Sequence, residues 1–161
     1  MVIRPASPDD HPAIHAVVAA AFGQPDEADL VDALRDDGDA LVELVAEDDG
    51  AIVGHILFSP LATDTGARFA ALAPLSVLPG RQKDGVGTML MQVGHELLRQ
   101  AGVEAVIVLG HPNYYPRVGY SAEAAETVKA PFSGPSFMAL ALKPGALDEP
   151  VTIKYARAFQ L

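Results

Sequence analysis

The chain has 161 residues, of which 50% are hydrophobic and 20% charged, so it is long enough for one domain with a sizeable core. It contains no cysteine, which excludes disulfides, a thiolate metal site and a cysteine nucleophile. The formal net charge of −10 argues against nucleic acid as a partner, because phosphate contacts need clustered Lys and Arg.

The first predicted elements are a strand over residues 2–4 and a helix that begins at Ser7-Pro8. Ser is a good helix cap, and Pro is favoured at the first helical position. Gly23 ends this helix, and a second, short and acidic helix is predicted over residues 27–36. The apolar face of the first helix consists of Ile14, Val17, Val18, Ala21 and Phe22.

Two strands over residues 41–46 and 52–58 are joined by Asp48-Asp49-Gly50, which is a hairpin signal. After a turn at residues 63–66, Phe69–Val77 is predicted as a strand that leads into a glycine-rich loop and a helix. The apolar stripe predicted for that helix is Val86, Leu90, Val93, Leu97 and Ala101, with Gly102 as its cap. Three later strands are predicted over residues 103–109, 137–142 and 151–155.

Hairpins followed by a strand–helix–strand crossover indicate an α/β fold with a mixed, mostly antiparallel sheet and helices on both faces. We expect residues 1–161 to form a single domain. The strands over residues 69–77 and 103–109 should be parallel neighbours, and ligands bind outside the carboxyl ends of such strands. The glycine loop and residues 111–115 leave from those ends, so we expect both to face one crevice.

The loop over residues 81–88 has the character of an anion site. Its backbone N–H groups converge at a helix N-terminus, which carries partial positive charge. Gly85 and Gly87 have no Cβ, so a phosphate can approach the backbone closely. No Gly-Lys-Ser/Thr follows, which excludes a P-loop, and the spacing is a poor dinucleotide fingerprint. The alternatives are a pyrophosphate cradle and glycines needed only for packing.

Two motifs together resemble the GNAT superfamily of N-acetyltransferases. The run Gln82-Lys83-Asp84-Gly85-Val86-Gly87 is similar to that superfamily's acetyl-CoA loop, Gln/Arg-x-x-Gly-x-Gly/Ala. The run Tyr115-Pro116-Arg117-Val118-Gly119-Tyr120 is similar to its Tyr-x-x-x-Gly-Phe/Tyr element. The resemblance covers about residues 2–142, and the strand-like tail over residues 151–155 adds to a likeness to the small bacterial YhbS-like branch.

The resemblance implies acetyl-CoA as co-substrate. Backbone groups of the strand before the loop would bind the pantetheine arm, and the loop would hold the pyrophosphate, with Arg81 and Lys83 adding charge. Asp84 departs from the family pattern, which usually has a basic or small residue there. The implied cofactor-binding residues are Leu75, Ser76, Val77, Arg81, Gln82, Lys83, Asp84, Gly85, Val86, Gly87 and Thr88.

By the same resemblance the reaction is direct transfer of an acetyl group to a primary amine. Tyr115 matches the general acid that protonates the CoA thiolate, with Tyr114 as the alternative phenol and packing as the alternative role. The general base stays open between His111, whose ordinary pKa suits the task, and a water relay. His55 is interpreted as a core or surface histidine. A non-catalytic acyl-CoA-binding sensor or interaction module is the alternative function.

No metal is expected, because only His11 and His15 among the five histidines have a ligand-like spacing. The chain opens without a charged-then-apolar leader, and its most apolar helical run, residues 13–22, is too short to span a bilayer. We therefore expect a cytoplasmic protein that binds acetyl-CoA and a small amine or a protein amine, without nucleic acid or membrane; a homodimer stays open.

The acidic residues are unevenly distributed. Eleven of the 21 lie between Asp26 and Asp49. They form either a solvated face or a field that concentrates a cationic amine near the acceptor site.

Overall fold

The computed structural model describes all residues 1–161, which form eight strands, three α-helices and four short 3₁₀ helices. The elements are β1 Val2–Pro5, α1 His11–Phe22, α2 Asp26–Asp36, β2 Val42–Asp48, β3 Ala51–Thr63, β4 Phe69–Val77, α3 Val86–Gln100, β5 Ala105–Leu109, β6 Val128–Lys129, β7 Phe137–Ala141 and β8 Val151–Lys154. None of the helices combines the length and the apolar character needed to cross a membrane.

The sheet is mixed and mostly antiparallel, as predicted. Its strands follow the order β1-β2-β3-β4-β5-β7, and β8 pairs with β3 and β6. The pairs β1–β2, β2–β3, β5–β7 and β3–β8 are antiparallel, whereas β4–β5 and β6–β8 are parallel. The predicted parallel neighbours β4 and β5 are thereby confirmed, with a register that runs from Phe69↔Ala105 to Leu72↔Val108.

The chain forms two compact units, and the first comprises residues 1–58 and 73–94. Within it, helices cover both faces of β3. A Cβ added to Gly54 would lie 2.8 Å from Val86 and 3.1 Å from Leu90, so α3 packs on that face. The next residue, His55, points to the opposite face, where Glu43 connects it to Arg35 of α2.

The second unit comprises residues 59–72 and 95–161. Its apolar core joins alternate residues of the β4–β5–β7 sheet to β8 and to the end of β3. Alternation along each strand puts these side chains on one face of the sheet, where they are removed from water. The largest members of this core are Leu61, Phe69, Ile107, Val128, Phe137, Val151 and Ile153.

The predicted face of α3 is wrong at Val93 and Ala101. Val93 is 37% exposed, and Ala101 is exposed and lies beyond the end of the helix, whereas Met91, His95 and Leu98 are buried. The buried face of the helix therefore contains residues 90, 91, 94, 95 and 98, which recur at intervals of three or four residues. It does not follow the predicted stripe through Val93. The strand predicted to end at residue 58 continues to Thr63, and the one predicted from residue 103 begins at Ala105.

A buried polar network lies on the α2 side of the first unit. Arg35 donates two hydrogen bonds to the Glu43 carboxylate, at 3.2 and 2.6 Å, and the His55 Nε2 lies 2.8 Å from the same carboxylate. Burial opposes ionisation of Glu43, but the hydrogen bonds from His55 and Arg35 outweigh it and lower its pKa to about 2.

We expect this network to make stability pH-dependent. The pKa of Glu43 falls from an ordinary 4.5 to about 2 on folding, so its contribution is complete above 4.5 and is lost as the pH falls through about 2. His55, whose pKa burial lowers, weakens stability in the same direction below 6.5. Urea unfolding measures the free energy of unfolding at each pH. Between neutral and acid pH this free energy should fall by about 1–2 kcal/mol less in Glu43→Gln than in the wild type, after allowance for screening. An unchanged acid slope in Glu43→Gln would assign the effect to other groups.

Candidate active site

The loop after β4 presents backbone donors at the start of α3. A short turn over Pro79–Arg81 precedes it, and α3 begins at Val86. The Met89 N–H is the first of the helix to find a backbone acceptor, the Gly85 carbonyl at 3.1 Å. The N–H groups of Val86, Gly87 and Thr88 therefore have no intrahelical partner, and the helix dipole makes this end attractive to an anion.

Gly85 shapes the approach to these donors. Its φ of +78° lies in the left-handed region, and a Cβ built on it meets no protein atom within 4 Å. Glycine is therefore required by the backbone conformation and not by packing against the protein. The space beside its Cα is accessible from solvent, which is what close approach of a phosphate requires.

The charges of the loop differ from those expected. Arg81 does not stand free, because it pairs with Asp48 at 2.9 Å and with Asp84 at 2.9 Å. Asp84, which departs from the family pattern, is exposed and offsets the charge of Arg81. Lys83 is exposed. An anion at this loop would meet the backbone donors and Lys83 before it competed for Arg81.

The end of β4 is tied to the loop that follows it. The Gln82 side-chain amide donates to the Val77 carbonyl at 3.3 Å, and the Leu78 N–H donates to the Val53 carbonyl of β3 at 2.9 Å. Leu75 and Val77 are partly exposed, whereas Ser76 between them is 1% exposed. The residues on either side of Ser76 are therefore partly accessible, while the Ser76 side chain points inward.

Tyr115 lies in the second unit, in the short turn Tyr115–Val118 after β5. The His111 carbonyl accepts the N–H groups of Tyr114 and Tyr115, at 3.1 and 3.4 Å, which closes the chain into this turn. A Cβ on Gly110 would overlap the Tyr115 ring. The absence of a side chain at Gly110 is what lets the ring pack against the end of β5.

The surroundings of Tyr115 keep its phenol protonated. The ring is 8% exposed and packs edge-on against Tyr114 and Tyr120, with centroids 5.1 and 5.7 Å away. Burial, followed by the neighbouring Tyr114, raises the pKa of Tyr115 to about 12. A group of this kind can donate a proton at neutral pH but does not lose one to bulk water.

Sequence reasoning missed a partner of this aromatic group. His95 of α3 is buried, and its Nε2 lies 2.7 Å from the Tyr120 hydroxyl. Burial lowers the pKa of His95 to about 4, so the imidazole is neutral at physiological pH. His95 follows Met91 by four residues, and this spacing in the sequence indicates that both lie on the same side of the helix.

We expect Tyr120→Phe to lower the free energy of unfolding without moving the ring. The buried His95 imidazole would lose its hydrogen bond to the Tyr120 hydroxyl, which lowers the free energy of unfolding by about 1–3 kcal/mol. Tyr155→Phe is the matched control, because that tyrosine makes edge-on ring contacts with Phe132 and Phe159; it should stay within about 0.5 kcal/mol. Chemical denaturation measures both, and equal losses would contradict a specific role for the His95–Tyr120 pair.

The histidines that the sequence analysis considered as a base, a core residue or a metal ligand have different surroundings. His111 is exposed, and its backbone carbonyl rather than its ring makes the turn contacts. His55 is fully buried, as one of the two interpretations held. His15 is hydrogen-bonded to Asp32 at 3.0 Å, and its ligand atom lies within 4.8 Å of those of Asp29 and Asp32. Arg35 contacts the other oxygen of Asp32, at 3.1 Å.

Comparisons with known proteins reveal a consistent set of similarities. The model of the acetyltransferase (GNAT) family matches residues 11–120. The uncharacterized N-acetyltransferase YjhQ of Escherichia coli is 44% identical over 119 residues, which are 70% of this chain and 65% of that protein. The match thus spans slightly less than two thirds of YjhQ.

Two solved structures resemble the whole chain. The GNAT family N-acetyltransferase YhbS from Escherichia coli, in complex with CoA, is 31% identical with a TM-score of 0.90, over 99% of this chain and 92% of that one. A GNAT family acetyltransferase from Brucella melitensis, in complex with acetyl-CoA, is 36% identical with a TM-score of 0.83, over 98% of this chain and 97% of that one.

Proposed function

Because the chain belongs to the acetyltransferase (GNAT) family, we propose that it moves an acetyl group from acetyl-CoA to a primary amine by direct transfer. The observation that carries the proposal is the start of α3, where backbone N–H groups without partners adjoin a left-handed Gly85. Two whole-chain structural neighbours hold CoA and acetyl-CoA, which supports the same ligand here.

The loop residues fit a pyrophosphate. Phosphate oxygens accept several hydrogen bonds, and the first turn of α3 offers N–H donors together with the helix dipole. Leu75 and Val77 are partly exposed, and their backbone groups would pair with the amide groups of the pantetheine arm as in an added strand. The proposed binding residues are Leu75, Ser76, Val77, Arg81, Gln82, Lys83, Asp84, Gly85, Val86, Gly87 and Thr88.

Tyr115 is the proposed general acid. Attack of the amine on the thioester forms the C–N bond and breaks the C–S bond, so a thiolate leaves and needs a proton. The Tyr115 phenol supplies that proton, and the phenolate takes up the one released by the new amide nitrogen. With a pKa of about 12 the phenol is protonated before the reaction, which the role of a general acid requires.

His111 is the proposed base that takes the first proton from the ammonium form of the acceptor. Its ring is exposed at the end of β5, four residues before Tyr115, so it can return the proton to solvent. A water relay to backbone carbonyls is the alternative. Replacement of His111 by Ala distinguishes them, because turnover falls with the loss of the ring if His111 is the base and is kept if water relays the proton.

The second candidate function is a non-catalytic acyl-CoA-binding sensor. It is favoured by the burial of Tyr115, because a phenol whose pKa is raised to about 12 is a weaker acid than an exposed tyrosine. Both functions require the loop, but only the transferase requires Tyr115.

A thermal-shift titration with acetyl-CoA, followed by a free-thiol assay over a panel of amines, tests the proposal. Ligand at 100 times its dissociation constant should stabilise the protein by about 2.7 kcal/mol. Thiol release that depends on an amine identifies the transferase. Stabilisation without thiol release identifies the sensor, and the absence of both would contradict either function.

We further propose that the acceptor is cationic and approaches near the acidic segment between Asp26 and Asp49. Asp29 and Asp36 are exposed on α2, whereas Asp32 is already paired with Arg35 and His15. The unpaired acids can attract a distant cation, over the roughly 8–10 Å that ordinary salt allows.

The rate with a cationic amine should therefore fall as salt rises, and the rate with a neutral analogue should not. Neutralising Asp29, Asp32 and Asp36 together should raise the Michaelis constant for the cationic amine more than it lowers turnover, because steering precedes the chemistry. An absence of salt dependence, or an anionic best acceptor, would leave these acids as a solvated face that favours solubility.

A further inference from the structure

Two buried polar atoms on neighbouring strands of the first unit have no hydrogen-bond partner. They are the Nδ1 atom of His55 on β3 and the hydroxyl of Ser76 on β4. His55 is 0% exposed and Ser76 is 1% exposed. Leaving a buried polar atom unpaired is destabilising, so these two atoms need an explanation.

The strand register places these side chains on the same face of the sheet. The strands β3 and β4 are neighbours, and the Leu78 N–H donates to the Val53 carbonyl where β4 ends. At the other end the Thr63 hydroxyl donates to the Ala67 carbonyl, so the two strands run antiparallel. Counting two residues along each strand from the Leu78–Val53 bond sets Ser76 opposite His55.

The chemistry of the two atoms is complementary. Glu43 is ionised and can only accept, so the His55 Nε2, at 2.8 Å, carries the proton of the neutral ring. The Nδ1 atom is therefore a bare acceptor. The Ser76 hydroxyl is a donor, and a turn of its side chain or one enclosed water joins it to Nδ1.

We propose that His55 is a positioning residue for the acyl-donor strand, because its Nδ1 accepts the Ser76 hydroxyl and so anchors residues 75–77. The anchor continues from His55 through Glu43 to Arg35 on α2. This inference rests on the proposed function, which assigns the backbone of residues 75–77 to the pantetheine arm. A fixed strand presents its backbone groups without an ordering cost when the ligand binds.

A set of variants tests the coupling kinetically. We expect Ser76→Ala and His55→Phe each to raise the Michaelis constant for acetyl-CoA by about threefold to tenfold, with a smaller change in turnover. The double variant should be no worse than the worse single one, because both remove the same interaction. His55→Gln keeps one donor and one acceptor and should remain close to the wild type. Additive losses in the double variant would overturn the proposal.

Ser59→Ala is the matched control, since Ser59 also has a buried, unpartnered hydroxyl but is four residues along β3 from His55. It should leave the Michaelis constant unchanged, and an equal rise would contradict a role specific to Ser76.

Nitrogen NMR of the histidine ring provides a readout that does not depend on activity. In the wild type the Nδ1 resonance of His55 should have the position of a hydrogen-bonded acceptor, and it should move to that of a free acceptor in Ser76→Ala. An identical resonance in both proteins would overturn the proposal. If the wild type bound no acetyl-CoA, the proposed function would fail, while the NMR comparison would still decide whether His55 and Ser76 are joined.

Discussion

Tyr115→Phe is expected to lower turnover by about 10²–10⁴-fold, the range for loss of a general acid. The substitution keeps the ring that packs against Tyr114 and Tyr120, and it removes only the phenolic hydroxyl group. Binding of acetyl-CoA should change little, because the role proposed for the phenol is at the departing sulfur and not at the phosphates. Steady-state thiol release and calorimetric titration measure the two quantities separately.

Tyr114→Phe is the control for this prediction. Tyr114 is half-buried, makes edge-on contact with Tyr115, and is the alternative acid by sequence. We expect its loss to leave turnover within a few-fold of the wild type. Unchanged turnover in Tyr115→Phe would reduce Tyr115 to packing, and a large effect of Tyr114→Phe instead would transfer the role to its neighbour.

Gly85→Val is expected to weaken CoA binding by about a hundredfold. The valine side chain would project into the space beside the first turn of α3 and separate a phosphate from its backbone donors. Each hydrogen bond to a charged group is worth about 1.5–3 kcal/mol, so losing one or two gives an effect of this size. Calorimetric titration with CoA measures the change.

Gly38→Val separates this blocking effect from backbone strain. Gly38 has a φ of +77°, against +78° for Gly85, and a Cβ there also meets no atom within 4 Å. Both variants should therefore lose similar stability, since both force a β-branched residue into the left-handed region. Only Gly85→Val should lose affinity. Equal affinity in the two variants would show that the pyrophosphate does not bind at Gly85.

The strand order near β4 and β5 could be predicted because it depends on local patterns. An apolar run, a glycine turn, an amphipathic helix and a second apolar run together specify a parallel pair joined by a crossover. The same reasoning failed at Val93, because a single stripe of five apolar residues does not decide which side of a helix is covered. The side that is covered depends on residues elsewhere in the chain. One of them is Phe58, whose ring fills the space that a side chain on Gly94 would need.

The Glu43–His55 contact could not be predicted, because it depends on a bulge. From the turn, Asp48 pairs with Ala51 and Glu47 with Ile52, but Ala46 then pairs with Gly54. This shift of one residue puts His55 opposite Val45 instead of Leu44, and so on the same face as Glu43. The hairpin signal in the sequence contains nothing that reports such an insertion.

The charges of the loop were unpredictable for a similar reason. Arg81 pairs with Asp48, a partner far away in the sequence that reaches it only through the β2–β3 hairpin. The position of Asp84 three residues after Arg81 could have suggested the second pair, since a turn brings such residues together. Local spacing therefore predicted the donors of the loop, whereas the balance of its charge depended on the tertiary structure.

Transfer of a labelled acetyl group tests the central claim most directly. The protein is mixed with acetyl-CoA that carries a heavy-isotope acetyl group and with a panel of primary amines, and both the amines and the intact protein are weighed by mass spectrometry. Direct transfer predicts a labelled N-acetyl amine, one CoA thiol for each product, and no acetyl group on the protein at any time. Binding of acetyl-CoA with no labelled amine, or an acetyl group that resides on the protein before it reaches the amine, would contradict the account.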